Sequence, residues 1–114
     1  MDSILTSIKK LLGIAEDYEY FDTDITIHIN SAFMVLSQIG VGPTEGFSIS
    51  DKNSKWSDFA SVANVSNIEA VKTYIYLKVR LIFDPPTSGI VTDSMTSLIR
   101  ELECRLNTQY ETNM

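Results

Sequence analysis

The chain has one cysteine, Cys104, which rules out an intrachain disulfide and any metal site built on several thiolates. Basic residues are scarce too. Nine Lys and Arg stand against fifteen Asp and Glu, and the net charge of -6 leaves no cationic surface of the kind that neutralises phosphates. The excess of acid argues against a grip on nucleic acid, yet it suits a surface that DNA passes without sticking. No apolar run approaches the ~20 residues needed to span a bilayer, so no membrane partner is expected. Met1-Asp2-Ser3 lacks the basic start and the small-residue cleavage site of a secretory signal, which gives the expectation of synthesis in the cytosol. The only histidine, His28, has no second histidine to work with.

What is present fits one globular domain over residues 1–114. Hydrophobic residues make up 44% and charged residues 21%, close to globular averages, and the length supports one core without staples. The expected fold class is mainly α: a four-helix domain with antiparallel helices and a long loop between helices two and three. The first helix is expected over Ser3 to Leu12, with Asp2 or Ser3 as N-cap, Ile4, Leu5, Ile8, Leu11 and Leu12 at helical spacing, and Gly13 as the stop. Asp22-Thr23-Asp24 reads as an N-cap cluster for a second helix, Asp24 to Ile39. Locally "ITIHI" alternates like a strand. Over the longer window Ile25, Ile29, Ala32, Phe33, Leu36 and Ile39 keep the helical period, which decides for helix.

Residues 41 to 64 are rich in Gly, Pro, Ser, Asp and Asn, and a connection this long is more often functional than a mere link. Phe47 and Ile49 suit a short strand or hairpin, and Trp56 with Phe59 suits one helical turn. The aromatics Phe47, Trp56 and Phe59 either anchor another protein, as aromatic residues do in interface centres, or fold back over the chain's own core. Ser66 and Glu69 form a capping box before the third helix, Asn67 to Phe83. Its stripe of Ile68, Val71, Ile75, Val79 and Ile82 is widened by Tyr74, Leu77 and Leu81. Those three are further candidates for a protein interface. So wide a stripe serves either a neighbouring subunit or an ordinary broad core face. Asp84-Pro85-Pro86 forces a turn, and Val91, Met95, Leu98, Leu102 and Leu106 form a seam on a last helix, Ile90 to Leu106. Residues 108–114 form a polar tail.

Chemistry is hard to find in this pattern. His28 sits among Ile25, Ile27 and Ile29, the setting of a partly buried or interface residue. Cys104 has no neighbour that would activate a thiolate and reads as a small packing residue. Asp22 and Asp24 read as caps, and Glu101 and Glu103 fall on different faces of one helix. Arg80, Arg100 and Arg105 suit pairing with Glu101 or Glu103 on helix surfaces. No catalytic, cofactor-binding or metal-binding residue is expected.

The order of parts carries more. A short helix ending in "LLGI", "FDTDI" opening the second helix, a "VGP" turn, the helix "IEAVKTYIYLKVRLIFDPP" and the ending "LIRELECRLN" together resemble the head-tail connector, or adaptor, proteins of long-tailed bacteriophages and prophages. The resemblance runs from about Ser3 to Asn107 and is most specific in "YIYLKVRLIFDPP" and "ELECRLN". It implies a virion protein of the neck, made in the host cytoplasm. Such a protein assembles as a homo-oligomeric ring on the portal protein, with a stopper or tail-completion protein docking beneath and DNA passing through without tight binding. It implies no enzyme activity and no cofactor. Cys104 departs from the family pattern, where a larger apolar residue is expected. A small helical regulatory or protein-binding module is the alternative from composition alone.

Overall fold

The computed structural model describes residues 3–43, 45–63 and 68–113, with side chains as far as Asn107. The fold is mainly α, with five helices and no strand among the described residues. Helix α1 (Ile4–Leu11) starts where the Ser3 hydroxyl accepts the Thr6 amide at 3.3 Å, and Ile4, Leu5 and Ile8 are buried. It ends at Gly13, whose φ of +82° favours a residue without Cβ.

Helix α2 (Asp22–Gln38) begins two residues earlier than expected, and Phe21 at its N-cap makes no side-chain capping bond. The acidic cluster therefore does not cap the helix through its side chains, because Asp22 is engaged by Lys9 instead. Ile25, Ile29, Ala32, Phe33 and Leu36 are buried along one side, while Ile27 faces out. Helical period thus wins over the strand-like alternation of "ITIHI". His28 is half-buried, as its surroundings suggested.

The stretch after α2 differs from expectation in two ways. It contains a helix of its own, α3 (Trp56–Val62), so five helices stand among the described residues where four were expected. The Asp58 carboxylate accepts the Lys55 amide at 2.8 Å, which supplies an N-terminal cap visible in sequence only as Lys-x-x-Asp. Second, no hairpin forms around Phe47 and Ile49. An isolated two-stranded hairpin is marginal in water, and here the Ile49 backbone has a different partner. The Asn30 side chain accepts the Ile49 N–H at 2.8 Å and donates to its carbonyl at 2.9 Å, so one carboxamide takes the place of a strand.

Helix α4 (Ile68–Phe83) follows, and the capping residue expected at Ser66 lies outside the described residues. Pro85 and Pro86 break the chain as expected, and the Ser88 carbonyl and hydroxyl receive the Thr92 and Val91 amides at the start of α5 (Gly89–Asn113). Helix α5 continues past Leu106, so the backbone of most of the expected polar tail is helical. Its inward line is Ile99 and Leu106, buried, with Met95 and Leu102 partly buried against the core, and of the expected seam Val91 and Leu98 are left exposed. Cys104 lies on the exposed side rather than in the packing, so its small size leaves the seam of α5 intact.

Helix α4 is central and touches α1, α2 and α5. It runs antiparallel to both long neighbours: Phe21 before α2 packs edge-on against Phe83 at the end of α4, and Tyr74 early in α4 meets Glu103 late in α5. The core joins Ile4, Ile8, Ile29, Phe33, Trp56, Ile75 and Val79 with their neighbours. The wide apolar stripe of α4 is thus filled largely from within the chain.

Candidate assembly surfaces

The six residues expected at a protein interface are placed by the structure as follows. Trp56, Phe59, Tyr74 and Leu77 are buried in the subunit, and Phe47 and Leu81 are partly buried against the core. Phe33 organises the aromatic ones. Its ring centroid lies 5.0 Å from Phe47, 4.9 Å from Phe59 and 6.4 Å from Trp56, in tilted and edge-on arrangements that favour aromatic pairing. The Trp56 indole donates to the Ser7 hydroxyl at 2.7 Å, which joins the long connection to α1. Of the two alternatives for these aromatics, folding back over the core describes the subunit. Phe47 and Leu81 line surface grooves.

Three further polar ties join parts distant in sequence. Lys9 is 2% exposed, and its ammonium donates to the Glu16 carbonyl at 2.9 Å and pairs with the Asp22 carboxylate at 2.8 Å. The bond to the carbonyl is the well-aimed one, and the contact with Asp22 is an ion pair without hydrogen-bond alignment. Lys9 escaped the sequence reading, although its place four residues after Leu5 on the apolar side of α1 was a signal. The Tyr74 hydroxyl donates to the Glu103 carboxylate at 2.7 Å, and burial followed by this carboxylate pushes the phenol well above its ordinary range. The Asn107 side chain donates to the Ile39 carbonyl at 2.6 Å, satisfying an acceptor at the end of α2. Glu103 and Asn107 both belong to "ELECRLN", so that segment carries two of the three ties.

What stays outside is a set of large apolar side chains that the fold does not use. Ile82 is 58% exposed, Ile27 56% and Ile90 80%, and Leu11, Met34, Val91 and Leu98 are exposed as well. Three shallow grooves include members of this set; one holds Met34 beside Phe47 and Glu45, and the other two hold Ile27 and Ile82. The Ile27 groove, of about 310 Å³, lies by α1 and α2, with Leu5 and Ile27 among Glu19, Asp22, Asp51 and Lys52. The Ile82 groove, of about 300 Å³, lies between α4 and α5, with Leu81, Ile82 and Ile99 among Lys78, Arg100 and Glu103. Of the three arginines, Arg105 pairs with Glu101, Arg80 donates to the Tyr76 hydroxyl, and Arg100 makes no ion pair among the described residues. No group of three or more His, Cys, Asp or Glu is placed to hold a metal ion among the described residues. No helix there is long and apolar enough to cross a membrane.

Large apolar side chains left exposed on a helical subunit with a filled core are suited to contact with other proteins. No curated protein and no solved structure matches the chain at a significant level. A family model described as phage connector protein matches residues 4–113.

Proposed function

Because the chain belongs to the phage connector protein family, and so has a structural connector role in a phage, we propose that it is the adaptor of the neck. In this reading it assembles as a homo-oligomeric ring on the portal protein after DNA packaging. A stopper or tail-completion protein then docks on the ring, and the DNA leaves through it. The family match over nearly the whole chain carries the proposal. Support comes from the apolar residues on α2, α4 and α5, which the subunit leaves in water and which an assembly covers. The net charge of -6 supports passage of DNA without adhesion. The chain is a virion component with no catalytic step of its own, made in the host cytoplasm and built in at the neck.

Deleting the gene tests this. The expected result is DNA-filled heads without tails, or heads that have lost their DNA, with restoration when the protein is supplied in trans. Normal infectious tailed particles from the deletion overturn the proposal.

A further inference from the structure

The grooves beside Ile27 and Ile82 differ in charge, and we infer that they are the two halves of one head-to-tail contact between copies of this chain. The α4–α5 edge around Ile82 of one copy seats on the α1–α2 groove around Ile27 of the next. This pairing rests on the ring reading above and names the contact that builds it.

On the α4–α5 side Ile82 stands beside Lys78 and Arg100, neither of which makes an ion pair among the described residues. Glu103, the remaining charge there, is committed to Tyr74. On the α1–α2 side Leu5 and Ile27 lie among Glu19, Asp22 and Asp51, with Lys52 the single cation of the lining. Asp22 is committed to Lys9 and Asp51 accepts from the Asn53 backbone and side chain, so Glu19 and the exposed Asp51 carboxylate face a partner. Brought together, the two surfaces give an apolar centre of isoleucine on isoleucine and a rim of cations against carboxylates. That is the anatomy of a specific interface, with charge setting register and excluding wrong partners.

The same charges decide against the simplest alternative. A two-fold dimer through either groove sets Lys78 and Arg100 against themselves, or Glu19 and Asp51 against themselves, and like-charge contacts disfavour it. Joining unlike faces gives a heterologous contact, which closes into a ring when the rotation between copies permits. The two linings share no residue, so each copy offers both halves at once.

The test uses phage particles carrying Cys104→Ser protein, which removes the exposed native thiol, with Ile27→Cys and Ile82→Cys added singly or together. Both positions are more than half exposed, so neither change touches the core. A short bis-maleimide applied to purified particles should turn the double variant into a ladder of covalent oligomers and leave each single variant monomeric. If the double variant does not enter particles, the two single variants are produced together, and they must join to each other and not to themselves. Dimers from a single variant, attachment of the Ile27→Cys site to a different particle protein, or no ladder from particles that contain the protein each overturn the pairing. All three leave the connector reading standing, because that reading is tested separately, by the gene deletion and by the place of the wild-type protein in particles.

Discussion

Lys9 and Tyr74 are polar side chains that the fold buries. Lys9 is sealed between α1 and the start of α2, and its ammonium meets Asp22 and the Glu16 carbonyl there. Removing one partner of a buried pair strands the other, at a cost of roughly 3–5 kcal/mol. Asp22→Ala should therefore destabilise the protein by about that much in urea unfolding. Lys9→Met should cost less, because Asp22 keeps contact with water and methionine fills the apolar site. Equal losses for the two variants would show that Lys9 is not held as described.

Tyr74 has a pH signature with a definite sign. Its hydroxyl is held protonated by burial and then by the Glu103 carboxylate, so its folded pKa lies above that of an unfolded tyrosine, about 10. Its contribution to stability is complete below about pH 10 and falls as pH rises beyond that, where the unfolded chain binds fewer protons than the folded one. Tyr74→Phe should cost about 1–2 kcal/mol at pH 8, the worth of a bond to a charged acceptor in a partly exposed setting. The gap between variant and wild type should narrow as unfolding is measured from pH 9 to 11. A constant gap would detach Tyr74 from the alkaline loss.

Among the helices, those with local signals were legible in the sequence. Ser3 and Gly13 bound α1 through contacts within a turn, and the proline pair ends α4 by steric exclusion of its neighbours. The seam of α5 was harder, because Leu98 and Ile99 are both apolar and periodicity alone cannot choose between adjacent residues. The contact with α4 selects Ile99. Least legible was the connection after α2. Its fate is set by partners far away in sequence: Ser7 lies 49 residues from Trp56, and Asn30 lies 19 from Ile49. An aromatic in a polar stretch looks the same before folding whether it will be covered by its own core or by another protein. Trp56→Ala should cost roughly 3–5 kcal/mol, the range for truncating a buried aromatic. Loss of less than about 1 kcal/mol in thermal or urea unfolding would mean that this connection is not part of the subunit's core.

Across the whole molecule the sequence was informative about charge, and less so about which faces the fold leaves exposed. Charge balance is a property of composition and could be read at once, whereas the exposed faces depend on which helical sides the fold consumes. Tyr74 and Leu77 widened the stripe of α4, yet α4 is packed by its own chain, and the unused apolar surface appears on Ile27, Ile82 and Ile90. For a subunit of net charge -6, binding of the purified protein to duplex DNA should be undetectable at ~0.15 M salt, where screening leaves only close contacts. A salt-dependent shift of duplex DNA by the protein would contradict passage without adhesion.

The measurement that bears most directly on the connector reading is the position and amount of the protein in finished particles. Quantitative mass spectrometry of purified virions, with the protein located by a fused tag in cryo-electron microscopy, should find it in several copies per particle, confined to the neck between head and tail. Its absence from infectious tailed virions, or a location away from the neck, would contradict that reading.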